Sequence, residues 1–417
     1  MTASSKQNFE RTINHKQPEK VVVDFGSTSV TGIHVRMVEK LREYYGLEKK
    51  PVRVTEPFQM LGEIDDELVR AMNIDVIGLY GEKNMFGIPN RDWKLHKTFW
   101  GQEVLFPGMF NYTYNSNGDI LIHPEGDVSV PASAMMPKTG YFFDAIDRQE
   151  PIDDSKLKVE DNLEEFTRIT DHDLAYWKAQ AEFVESSGKA VMASLGGTAL
   201  GDIALVPGLN LKHPKGIRGV ADWYISTLIR EDFVKELYDR QTDIALENLS
   251  KLHDVIGERI NTVFICGTDF GTQNSTFCSP ETYARVWMPY YKKVNNWIHR
   301  NTSWKTFKHS CGSIGTLLEL FIESGFDIIN PVQINAEGMD PATLKRKFGD
   351  RIVFWGGGVD TQGVFAFGTP LQVKEQVKKQ CSILNNNGGF IFNTVHNIQA
   401  NVPFENVVAM LEALREL

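Results

Sequence analysis

Apolar residues along this chain follow two alternating rhythms: short β-branched runs, then longer stretches with apolar positions at helical spacing. The alternation is plainest in the second half. Strand-like Thr262–Cys266 leads to Ser279-Pro280, a polar cap with proline at the first helical position, and then to Tyr283, Val286, Trp287, Tyr290 and Val294 at helical intervals. Lys305–His309 leads to Ile314, Leu317, Leu318 and Phe321, a face stopped by Gly325. Residues 326–329, 352–355 and 389–392 are followed by Asp340-Pro341, Thr369-Pro370 and Val402-Pro403, the same polar-cap device except in the last. Five successive units of about thirty residues predict a parallel sheet with crossover helices.

Upstream, residues 21–24, 74–77 and 190–193 read as three further strands, with helical stretches near 35–45, 163–185 and 221–252. Eight strands close a (β/α)₈ TIM barrel, so residues 1–417 read as one α/β barrel. Between about 83 and 148 the rhythm gives way to aromatic, glycine-rich and asparagine-rich text, with Asn117-Gly118 as a hairpin signal. That stretch predicts a β-rich insertion after an early strand.

Composition narrows the function classes. Hydrophobic types at 42% and charged types at 24% over 417 residues exclude disorder, collagen and coiled coil. A net charge of −10 lacks the positive footprint that a phosphate backbone requires, so nucleic acid is not an expected partner. The amino-terminal residues hold no apolar core of signal-peptide length, and nowhere do about 18 apolar residues run together. The chain therefore reads as cytoplasmic, without a membrane span. Cysteines 266, 278, 311 and 381 form no CxxC pair, which leaves thiolate or metal chemistry rather than a disulfide scaffold.

The sharpest local feature is His309-Ser-Cys311-Gly312, placed where a predicted strand ends, the edge at which barrels carry their catalytic groups. In an extended segment a His-x-Cys pair points both side chains to one side, where imidazole and thiolate could meet the same zinc ion; the alternative is a buried cysteine and a hydrogen-bonded histidine near a strand end. His396 follows the last predicted strand and emerges on the same edge, the loops after strands six and eight converging over the mouth. His309, Cys311 and His396 make three ligands with a fourth position open, the layout of a catalytic zinc, one per chain. Asp269 and Asp360 also follow strand ends, as metal ligands, partners orienting a histidine, or substrate anchors, although loop acids commonly cap backbone amides instead. Gln333 and Gln399 offer amides at this edge, and Asp24 offers a carboxylate after the first strand. Cys266 and Cys381 read as core.

These stretches together resemble the uroporphyrinogen decarboxylase superfamily, particularly its methyltransferase-like branch. The resemblance runs through residues 14–26, Ser279-Pro-Glu, His309-Ser-Cys-Gly312, Asn330-Pro-Val-Gln333, residues 354–362, Val395-His-Asn-Ile-Gln399 and residues 403–407. It implies a (β/α)₈ barrel and one of two chemistries. Decarboxylases of the superfamily remove acetate carboxylates from a tetrapyrrole without a cofactor. Corrinoid- or coenzyme M-linked methyltransferases use a zinc-activated thiolate, with zinc held by a His-x-Cys pair and a later cysteine.

His309 and Cys311 match that pair, whereas the later position is His396, and decarboxylases also carry a histidine in the matching last loop. The decarboxylases' amino-terminal arginine motif has no counterpart in residues 23–32. The leading expectation is thus a zinc-dependent methyltransferase taking its methyl group from a small donor or from methylcobalamin on a separate corrinoid protein. In this reading Asp269 and His396 are catalytic, and Asp24, Gln333, Asp360 and Gln399 face the small-molecule substrate. The alternatives are a uroporphyrinogen decarboxylase, anchoring its substrate through Asp24 and His396, and a barrel that binds a tetrapyrrole or small acid without turnover. The resemblance also implies a possible homodimer.

Overall fold

The computed structural model describes residues 3–417. Eight strands, β1 (Val22–Val23), β2 (Val76–Tyr80), β3 (Ala190–Ser194), β4 (Thr262–Cys266), β5 (Lys305–His309), β6 (Ile328–Asn330), β7 (Val353–Trp355) and β8 (Phe390–Phe392), pair in parallel in one sheet. β1 pairs with β8, and the remaining strands follow in order round to β2. A parallel bridge between Asp24 and Val76 joins β1 to β2 and closes the ring. The predicted TIM barrel is the observed fold. His309, however, ends the fifth strand and not the sixth, because each of the three upstream runs contributes one strand.

Period-two alternation sorts each strand's side chains between two cores. Val22, Val76, Ala190, Met192, Phe307, Ile328, Val353, Trp355 and Ile391 fill the barrel interior, joined by Phe9 and Ile13 of the amino-terminal helix Ser5–Ile13. That helix lies against the interior cluster, with Phe9 edge-on to Trp355 at 6.1 Å. Strand residues of the other parity pack outward against the helices: Val263, Ile265, Ile329, Phe354, Phe390 and Phe392 belong to the larger surrounding core.

The cap-and-proline reading holds for three helices. Ser279, Asp340 and Thr369 accept hydrogen bonds from Thr282, Thr343 and Gln372, each with proline in the first turn. In the last helix, Phe404–Arg415, Pro403 is itself the cap residue. Two predicted helices need correction. The 163–185 stretch is helical only over Asp171–Glu185, where Thr170 and Asp173 form a capping box that sets the start. The 221–252 stretch is two helices, Val220–Ile229 and Glu231–Ile256, because Arg230 at φ −125°, ψ 41° leaves the helical region.

Outside the barrel, Tyr112–Tyr114 and Ile120–Ile122 form the hairpin around Asn117-Gly118 and continue into Ala134–Met136 and Asp144–Ala145. A second small sheet joins Lys94–Lys97 and Glu103–Phe106 to Val52–Glu56 and Leu61–Gly62, so strands from before residue 83 share it. Cys266 and Cys381 are buried. Among the described residues no helix is long and apolar enough to cross a membrane.

Candidate metal centre

β5 ends at His309, which shares the inward parity of Phe307, while Lys308 between them faces the helices. His309 is paired in register with Asn330 at the end of β6. Its Nδ1 lies 2.6 Å from Asn330 Oδ1, and its Nε2 lies 3.4 Å from Cys311 Sγ and 3.7 Å from Asp269 Oδ1.

The loop carrying Cys311 is laced to the loop after β4. The Cys311 amide donates to Asp269 Oδ1 at 2.6 Å, Ser310 Oγ accepts from the Phe270 amide at 2.9 Å, and the Ser313 amide donates to Thr272 O at 2.7 Å. Gly312 sits at φ +88°, and a Cβ there would lie 2.4 Å from the Gly271 backbone. Only glycine lets the two loops approach this closely. Gln333 completes the frame, accepting from the Gly312 amide at 2.7 Å and donating to Gln273 at 3.1 Å. The His-Ser-Cys-Gly text is thus two side chains facing the mouth, with a serine and a glycine holding the turn.

His396, in the loop after β8, sets its ring 5.4 Å from that of His309 and nearly perpendicular to it. Its Nδ1 accepts from the Asn397 amide at 2.8 Å. His309, Cys311 and His396 each offer a ligand atom, and the three lie within 4.8 Å of one another. Zinc bonds of about 2.0–2.3 Å in a tetrahedron separate ligand atoms by about 3.3–3.8 Å, which the 3.4 Å between Cys311 and His309 already satisfies.

Burial pushes both imidazoles down to about 4. For His309 the Asn330 hydrogen bond opposes the shift and the Lys308 charge adds to it, and for His396 the neighbouring His309 adds to it. Both rings are therefore neutral at neutral pH, the form that binds metal. Burial and then the Asp269 charge hold the Cys311 thiol well above its ordinary value. Asp269, its side chain 25% exposed, is also raised by burial, against the Cys311 amide and the nearby His396 and Lys308. A bound cation would reverse the balance for the thiol, since a coordinating thiol is deprotonated outright.

The other predicted residues divide. Asp24 is fully buried and engaged by the Ser27 amide at 3.0 Å and Trp355 Nε1 at 2.9 Å, so it ties strand ends together. Asp360 accepts from the Gln362 amide at 2.9 Å, a turn cap. Gln333 braces the Cys311 loop. Gln399 is half-buried, and its carboxamide makes no hydrogen bond among the described residues.

Two contributors were not singled out from sequence. Gln59 receives a hydrogen bond from Asn397 at 2.7 Å, but it lies in irregular chain with no periodic signal. Lys308 is fully buried, its ammonium within 4.6–5.5 Å of the ring centres of Phe270, Tyr291, Phe321 and Phe326. Its alternation against Phe307 and His309 was the available signal.

Residues 216–417, which include β4 to β8 and all three candidate ligands, match the family model described as Uroporphyrinogen decarboxylase (URO-D). A curated protein, uroporphyrinogen decarboxylase of Psychromonas ingrahamii, is 26% identical over 175 residues, 40% of this chain. The match takes in 47% of that relative, so the chain spans about half the length of the curated relative it matches. Among solved structures, a methyltransferase from Methanosarcina mazei aligns over 99% of this chain and 98% of its own, with a TM-score of 0.53 at 13% identity. At that identity the likeness is one of fold.

Proposed function

We propose that this chain, which carries the uroporphyrinogen decarboxylase signature over residues 216–417 on a TIM barrel, is a zinc-dependent methyltransferase. The observation that carries the reading is the convergence of His309, Cys311 and His396 within 4.8 Å at the carboxyl edge of the barrel. One thiolate and two imidazoles leave one position of a tetrahedral zinc for a further ligand, which suits a catalytic site. When bound, zinc would lower the pKa of a coordinated acceptor thiol and so supply the nucleophile. The methyl donor in this reading is a small molecule or methylcobalamin on a separate corrinoid protein.

The chain's own residues have distinct tasks. His309 and Cys311 hold the metal, and His396 completes the set. Asp269, beside both His309 and Cys311, would accept the proton that the acceptor thiol gives up on becoming a thiolate, before the methyl group is transferred. Gln399, with its unengaged carboxamide, is the amide we assign to the substrate. We further read residues 1–417 as one domain in which 83–148 is the insertion, in a cytoplasmic protein that forms a homodimer.

Metal analysis tests the reading. Purified wild type is expected to hold about one zinc per chain against a weak chelator, and Cys311→Ala to lose it; absence of zinc from the wild type overturns the proposal. The likeness to the uroporphyrinogen decarboxylase of Psychromonas ingrahamii favours a second reading, decarboxylation of uroporphyrinogen. Turnover of that substrate by a zinc-free protein would establish it.

A further inference from the structure

We infer that Asn330 is a positioning residue that fixes His309 in the tautomer whose Nε2 lone pair faces Cys311. A neutral imidazole has one N–H and one lone pair, and its neighbours decide which nitrogen holds which. His309 Nδ1 faces an Asn330 side-chain oxygen at 2.6 Å, so Nδ1 must carry the proton and Nε2 must be bare. The inference depends on the carboxamide not being turned round. Its other end settles this: Asn330 Nδ2 donates to the Trp355 carbonyl at 2.8 Å, and a flipped amide would press oxygen against oxygen.

The clamp is built into the barrel. Asn330 is fully buried at the end of β6, where no water competes. Trp355 ends β7, and the first glycine after it makes room for the amide, since a Cβ at Gly356 would stand 3.1 Å from Asn330 Nδ2 and 2.9 Å from the Thr394 carbonyl. Three neighbouring strands thus pass orientation along: the β7 carbonyl sets the amide on β6, and the amide sets the imidazole on β5. His396 is set the opposite way. Its Nδ1 accepts from the Asn397 amide, so in its neutral form the proton sits on Nε2. The two imidazoles are therefore held in opposite tautomers.

The purpose of the clamp rests on the zinc reading, but the tautomer does not, so two measurements separate them. Nitrogen-15 NMR of histidine-labelled, metal-free wild type is expected to show His309 protonated at Nδ1 and bare at Nε2; the reverse assignment overturns the inference. Zinc affinity by chelator competition is expected to fall about 10- to 100-fold in Asn330→Leu. Asn330→Asp keeps an acceptor for Nδ1 but sets an oxygen against the Trp355 carbonyl, so its affinity is expected to fall between those of wild type and the Leu variant. Urea unfolding of the metal-free variants identifies any loss due to misfolding, in which case the Asp variant and the wild-type spectrum decide. Zinc bound equally by wild type and a folded Leu variant overturns the inference and leaves the metal reading standing. No zinc on a wild type with the expected tautomer overturns the metal reading and leaves the clamp.

Discussion

Trp355 Nε1 donates a 2.9 Å hydrogen bond to Oδ2 of Asp24, joining β7 to the end of β1 where the barrel closes. Asp24 is fully buried, and burial raises its carboxyl to about 6 even though Ser27, Thr31 and Trp355 hydrogen bonds pull it down. Trp355→Phe removes a donor that matters most when Asp24 is ionised. The expected loss of stability is about 1–3 kcal/mol, larger at pH 8 than at pH 5. Urea unfolding at the two pH values checks it; an equal loss at both would show that packing alone accounts for the effect.

The opposite settings of the two histidines rank the candidate ligands. Cys311→Ala and His309→Ala remove a thiolate and a ready lone pair. His396 must first move a proton from Nε2 or give up the Asn397 amide, so His396→Ala is expected to weaken zinc less than either. Competition against a graded set of chelators reads the order, and an equal loss at all three positions would contradict it.

Gln333 braces the Cys311 loop from beneath. Gln333→Leu leaves the buried Gly312 amide without its acceptor, at an expected cost of about 1–3 kcal/mol. Zinc affinity is expected to fall with it, because the loop that carries Cys311 loses its anchor. Calorimetric melting together with metal titration would show both effects; an unchanged melting temperature would rule out the bracing role.

Asp202 gives the stability curve a slope. It is buried 7% exposed, and burial with the nearby Asp269 charge raises it from 3.8 to about 6, against amide hydrogen bonds from Ala204 and Gly267. The folded state therefore binds the proton more tightly than the unfolded chain. Its contribution is present below about pH 4 and lost as pH rises through about 6, a change of about 3 kcal/mol. Asp202→Asn is expected to flatten the decline in stability between pH 4 and 7; a profile parallel to wild type would refute the assignment.

How far the site could be read from sequence follows from which forces are local. His309, Cys311 and His396 were legible because strand ends are marked by apolar runs and barrel topology sends every strand end to one edge. The inward parity of His309 followed from Phe307 two residues earlier. The fifth-strand position of His309 follows from counting those runs, but the sharing of 52–62 with the second small sheet was not legible, because it depends on pairing between distant segments.

The same boundary runs through the chemistry. Local sequence determined the eight strands, most helix caps, the buried cysteines and the identity of the three clustered side chains, since periodicity and capping act over a few residues. Tertiary structure alone decided that Asp24 meets Trp355, that Gln333 holds Gly312, and that Asn330 turns its oxygen and not its nitrogen toward His309. A hydrogen bond has a direction only once both partners are fixed in space, and here they come from different strands of a closed barrel.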